Sequence, residues 1–102
     1  MGIDKQPNPF AATKIEGGGK ISVATTPVLI DFSIPVNSIT ISADADNAVK
    51  LYIGKSNITS AGANAIGYLS AGDIFSADYD LSTPLYIVAE SAGQYFWKCG
   101  SK

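Results

Sequence analysis

The chain has 102 residues, of which 46% are hydrophobic and only 16% are charged, and its formal net charge is −2. This length predicts one domain with one core. All seven basic residues are lysines scattered along the chain, whereas nucleic-acid binding draws on clustered cations and on Arg, so we expect no nucleic-acid partner. A surface with so little charge often lies against other protein.

The inventory of chemically reactive side chains is short. The chain has no His, which removes the usual general base, and a single cysteine, Cys99, which cannot form an internal disulfide. We therefore expect no enzyme and no cofactor, and we expect Cys99 to be a small apolar residue of the last strand. There is no apolar run of membrane length and no secretory signal, so we expect no membrane partner, and the lone cysteine fits synthesis in a reducing compartment.

Residues 1–19 differ in composition from the rest of the chain. Pro7 and Pro9 favour extended backbone, and three consecutive glycines, 17–19, form a hinge. Two interpretations stay open: a frayed terminus, or a flexible arm that orders only against a neighbouring subunit. The second interpretation assigns partner binding to three isolated apolar residues of the arm: Ile3, Phe10 and Ile15.

From residue 20 onward, short stretches alternate apolar and polar residues, with Gly, Asn, Asp or Pro between them. Alternation with period two indicates strands that have one buried face, and regular turn signals indicate a sandwich or small barrel. We predict a single antiparallel β-sandwich over residues 20–102, jelly-roll-like, with about eight strands. The strands are expected near residues 20–25, 28–34, 38–43, 48–54, 65–69, 73–77, 84–90 and 94–99.

The alternation also predicts which side chains face the core. Leu29 and Val88 fall in the exposed phase of their strands and, with the low surface charge, suggest that a sister subunit covers part of one sheet. The residues predicted to point inward are Val49, Leu51, Ile53, Leu85, Ile87 and Trp97.

Two acidic sets are candidates for chemistry. Asp44 and Asp46 alternate in a loop, as Ca²⁺ ligands do, but Lys50 and Leu51 follow where an EF-hand would continue. We interpret this loop as a turn whose carboxylates bond their own backbone. Carboxylates at 73, 78 and 80 are expected to be solvated, since nothing gives them the unequal environments that glycosidase chemistry needs.

One stretch of the chain, residues 48–95, has a familiar order of strands and turns. A strand ending in Tyr52-Ile53-Gly54 leads to the turn Ser56-Asn57-Ile58-Thr59, then to Leu69-Ser70-Ala71-Gly72 and to Leu85-Tyr86-Ile87. This pattern resembles the small all-β virion proteins that tailed bacteriophages encode among their head and tail genes. It is a pattern of structure and contains no catalytic signature.

The resemblance implies a structural protein of the virion, made in the cytoplasm of a host bacterium and located on the capsid surface. It implies a capsid decoration protein that binds the major capsid protein and associates with itself, by analogy as a homotrimer. A tail or connector component fits the same pattern. An alternative from another class is a glycan- or receptor-binding module whose Tyr and Trp side chains stack on sugar rings.

Overall fold

The structure is a computed structural model that describes residues 15–32, 35–78 and 84–101. The described residues form eight strands and no helix. The strands are β1 (Ile15–Val23), β2 (Val28–Leu29), β3 (Ser38–Ala43), β4 (Leu51–Gly54), β5 (Ala65–Leu69), β6 (Ile74–Asp78), β7 (Tyr86–Ala89) and β8 (Gln94–Ser101).

The strands form two four-stranded sheets, and every pairing is antiparallel. The first sheet has the order β1-β8-β3-β6 and the second has the order β2-β7-β4-β5. Successive strands mostly alternate between the sheets, and this order is the jelly-roll arrangement of an eight-stranded sandwich. The predicted fold class, an antiparallel β-sandwich of about eight strands, is therefore confirmed.

The core lies between the two sheets and follows the predicted alternation on the central strands. In β3, Ile39, Ile41 and Ala43 are buried while the residues between them are half-buried. Leu51 and Ile53 of β4 face Ala89 and Ile87 of β7 in register, and all four are buried. The predicted inward positions 51, 53 and 87 are thus confirmed. Leu85 packs against the core from a partly buried position, and Val49 is half-buried.

The edges of the sandwich differ from the predicted boundaries. β1 begins at Ile15, so residues 15–18 pair with β8 although the glycine triplet suggested a hinge. The β1–β8 ladder shifts register between Gly18 and Ile21, a bulge that glycine accommodates readily. Within the described part of the second predicted strand, 28–32, only Val28–Leu29 form a strand, and Ile30 then donates its backbone N–H to the carbonyl of Leu85 (2.9 Å).

Two predicted side-chain orientations are wrong. Trp97 was expected to point inward, but Phe96 fills that position of β8 and Trp97 lies on the outer face, 43% exposed. Successive side chains of a strand point to opposite faces, so Trp97 must point outward once Phe96 is buried. Val88 was expected to be exposed because it lies on the face of β7 opposite to Ile87. It is nevertheless fully buried. Leu29 is exposed as predicted.

Candidate functional site

The outer face of the first sheet carries two exposed apolar side chains in one cross-strand row. Ser42 of β3 pairs with Trp97 of β8 on one side and with Ile74 of β6 on the other. Residues directly opposite each other in antiparallel strands point to the same face. Trp97 and Ile74, which is 68% exposed, therefore flank the small Ser42. We call these three residues the Trp97 row.

The indole of Trp97 is held in place by an acidic loop. Its Nε1–H donates to Oδ1 of Asp44 (3.1 Å), and the other carboxylate oxygen of Asp44 lies 3.4 Å from the backbone N of Asp46. The loop carboxylate thus bonds its own backbone and the tryptophan, as the turn interpretation expects. Among the described residues, no group of three His, Cys, Asp or Glu side chains could hold a metal ion.

Two amide side chains attach this loop to β8. Asn47 donates from Nδ2 to the carbonyl of Tyr95 (2.8 Å) and accepts from the N–H of Tyr95 at Oδ1 (2.8 Å). The buried Gln94 accepts the N–H of Ala48 (2.7 Å) and donates to the carbonyl of Ala92 (3.0 Å). These bonds fix the end of β8 that presents Trp97, so the exposed ring is held on a rigid support.

Next to the Trp97 row, small side chains leave an open groove of about 360 Å³ on the outer face. Two hydroxyl pairs lie in it: Ser38 with Ser101 (2.6 Å) and Thr40 with Ser76 (3.1 Å). The half-buried Cys99 also lines the groove. We call this feature the hydroxyl groove. Because most of its side chains are short, with Asp78 as the one charged residue of the lining, a neighbouring protein surface can approach the sheet closely beside Trp97.

The outer face of the second sheet carries tyrosines. Tyr52 of β4 and Tyr68 of β5 are register partners whose rings meet edge to face, with centroids 6.4 Å apart. The Lys50 ammonium lies 4.6 Å from the centre of the Tyr68 ring, and the Tyr52 hydroxyl donates to Glu90 (2.6 Å). The hydrogen bond to the Glu90 carboxylate is the main cause that raises the pKa of Tyr52 above its usual value of 10.0.

One side of the sandwich combines two sheet edges. β5 is the last strand of the second sheet, β6 is the last strand of the first, and the turn 70–73 connects them. Of the five large apolar residues that are exposed in the described part of the chain, three belong to these two strands: Ile66, Tyr68 and Ile74. The remaining two, Leu29 and Trp97, lie elsewhere.

The residues predicted to bind a partner are only partly within the described structure. Ile3 and Phe10 lie outside the described residues. Ile15 is the first residue of β1, where its backbone pairs with Ser101. The exposed residues Ile66 and Ile74 were not identified from the sequence. The available sign of their exposure was a large aliphatic side chain in a strand that begins or ends next to a turn sequence.

The described residues contain no helix that is long and apolar enough to cross a membrane. Comparison with known proteins found no matching family model, no matching curated protein and no matching solved structure.

Proposed function

We propose that this protein is a structural component of a bacteriophage virion, a capsid decoration protein that binds the major capsid protein. The observation that carries the proposal is the Trp97 row, in which two exposed apolar side chains stand beside a groove of small hydroxyl side chains. Aromatic residues held in a fixed geometry are frequent energetic centres of protein interfaces. The outer face of the first sheet is therefore assigned to capsid binding.

Two further features support the virion assignment. The sequence pattern that resembles phage virion proteins falls on β4 through β8, with its turns between those strands. The jelly roll is also an architecture of viral capsid domains, although a fold by itself does not define a function. The low charge of the chain agrees with a surface that is covered in an assembly.

The physical role would be stabilisation of the assembled shell. A protein that binds the assembled capsid, and not its separate subunits, shifts the equilibrium toward assembly by mass action. Contact with two neighbouring capsomers would supply this selectivity, since separate subunits offer only one half of the site. No covalent chemistry is required of the chain.

Co-sedimentation tests this proposal. Capsids of the phage whose genome encodes the chain, prepared without it, are mixed with the purified protein and pelleted. We expect the protein to pellet with intact capsids, to reach saturation, and to stay in the supernatant with unassembled capsid protein. A protein that remains in the supernatant in both cases would remove the capsid assignment, and binding to purified tails instead would favour the tail or connector alternative.

The exposed indole favours a second candidate function, a glycan-binding module. The exposed indole of Trp97 lies beside the hydroxyls of the groove, and jelly rolls also occur in lectin domains. A sugar ring could stack on the indole while its hydroxyls bond to Ser and Thr. A glycan array separates the two functions: the glycan module should bind defined sugars as an isolated protein, whereas the decoration protein should not.

A further inference from the structure

The last strand of the second sheet has an unusual edge. β5 pairs with β4 on one side, and within the described residues no strand pairs with its other side. Natural edge strands are commonly protected by charged side chains, by proline or by a bulge. The sequence of β5, Ala65-Ile66-Gly67-Tyr68-Leu69, contains neither charge nor proline.

The bulge in the β4–β5 ladder does not protect the open edge of β5 from pairing with another strand. The β4–β5 ladder shifts register between Ile53 and Gly54, so that Ile66 is an extra residue without a partner in β4. Bulges can redirect a side chain, and here the side chain made available is an isoleucine that is 65% exposed. Tyr68, on the far side of Gly67, is 56% exposed. Two large apolar side chains therefore flank a glycine on an open edge.

We propose that two copies of this chain associate by pairing their β5 strands antiparallel about a two-fold axis at Gly67. Antiparallel pairing of identical strands is self-complementary, as a two-fold interface requires. With Gly67 on the axis, Ile66 of each copy lies beside the partner's Tyr68, so the Ile66–Tyr68 contact forms twice. Gly67 is exposed and has no side chain to clash with its counterpart across the axis.

The chemistry of the edge favours a second copy over a charged partner. An uncharged β5 meets no like charge when it pairs with itself, although the chain as a whole is acidic. A continuous sheet removes the unpaired edges of both copies, the exposure that makes such strands prone to aggregation.

The size of the edge sets the expected strength. A strand of five residues is about 17 Å long, so an interface along this edge alone buries less than the roughly 800 Å² on each partner that is typical of stable complexes. We therefore expect association in the micromolar range. This pair is an alternative to the homotrimer that the family resemblance implied. The inference goes beyond capsid binding and uses a different surface from the Trp97 row, so that either proposal can fail without the other.

Sedimentation velocity of the full chain across micromolar concentrations tests the pairing. The wild-type protein should change from monomer to dimer, and Ile66→Lys should weaken the dimer at least tenfold, since it places two like charges at the paired edges. Leu29→Lys is the matched control, because Leu29 is an exposed aliphatic on the opposite edge strand of the same sheet; it should dimerise as the wild type does. A wild-type monomer, a trimer, or equal weakening by both variants would overturn the proposal.

Cross-linking gives an independent answer if Ile66→Lys does not fold. Facing residues of antiparallel strands have Cα atoms about 4.5 to 5.5 Å apart, within the range that a disulfide spans. In a Cys99→Ser background, Gly67→Cys should therefore form a covalent dimer under mild oxidation. Gly19→Cys is the control, since Gly19 lies in β1 on the opposite side and is equally open to an added Cβ. Equal or faster cross-linking at position 19, or none at position 67, contradicts the pairing.

Discussion

The side-chain amide of Asn47 pairs with the backbone of Tyr95 as a neighbouring strand would. It donates to the carbonyl and accepts from the N–H of the same residue, both at 2.8 Å, which are the two bonds that a paired strand would supply. The two residues are 48 positions apart in the chain. Through this pair the loop that holds the Trp97 indole is fixed to β8, so the geometry of the proposed binding surface depends on Asn47.

The Asn47 contact predicts a loss of stability. Asn47→Ala leaves the N–H of Tyr95 without this bond, whereas the carbonyl of Tyr95 still accepts the N–H of Asp44 (3.1 Å). A part-buried donor that loses its partner costs about 1 to 3 kcal/mol. Urea denaturation followed by Trp97 fluorescence measures this loss. The control Asp46→Ala removes an exposed side chain of the same loop and should change the free energy of unfolding by less than about 0.5 kcal/mol. Equal losses of stability for the two variants would show that the Asn47 amide bonds do not stabilise the fold.

The core predicts a larger effect. Leu51→Ala or Ile87→Ala opens a cavity at a fully buried position between the sheets, and each should lower the free energy of unfolding by about 2 to 4 kcal/mol. Ile74→Ala removes an exposed aliphatic side chain and serves as the comparison, with an expected change below about 0.5 kcal/mol. A negligible shift of the denaturation midpoint for the two core variants would mean that the sheet registers are incorrect.

Gly100 is required by packing between the sheets. An added Cβ would lie 2.8 Å from Val36 and 3.0 Å from the ring of Phe32, closer than real Cβ contacts. Gly100→Ala should therefore destabilise the fold by about 1 to 3 kcal/mol, as overpacking usually does. At Gly67 the same substitution meets open space. If thermal unfolding shows that Gly67→Ala is as harmful as Gly100→Ala, the packing around β8 differs from that described.

The Tyr52–Glu90 pair predicts a dependence on alkaline pH. The hydrogen bond to Glu90 raises the pKa of Tyr52 in the folded chain above 10.0. Because the protonated phenol is favoured by folding, this contribution to stability is fully present below pH 10 and is lost as the pH rises through the folded pKa. Glu90→Gln should lower the pKa of Tyr52 toward 10.0. Tyrosinate absorbance, compared with Tyr52→Phe to isolate this phenol, measures the shift; an unchanged pKa would exclude Glu90 as its cause.

The central strands were the part of the fold that the sequence predicted well. Ile39 and Ile41 in β3, and Leu51 and Ile53 in β4, alternate with less buried residues because each strand has one face in the core. Alternation of this kind is a local property of the chain. It was sufficient to predict the strand number, the sandwich and the buried positions 51, 53 and 87.

β8 shows where local pattern was insufficient. It has large aromatic residues on both faces, and polar residues lie on the same face as Phe96. Gln94 is satisfied there by Ala48, 46 residues away, and Lys98 by the carbonyl and carboxylate of Asp31, 67 residues away. Since these partners come from distant parts of the chain, no window of sequence shows that the polar face points inward. Trp97 was consequently assigned to the core, and the proposed binding surface could be recognised only from the structure.

The most direct test of the capsid assignment is the affinity of Trp97→Ala for capsids. Binding isotherms from co-sedimentation should show at least tenfold weaker binding than for the wild type, a difference of about 1.4 kcal/mol. Leu29→Ala, which removes a comparably exposed apolar side chain from the other sheet, should bind with unchanged affinity, and circular dichroism should show both variants folded. Trp97→Ala that binds capsids as tightly as the wild type would contradict the claim that the outer face of the first sheet contacts the capsid.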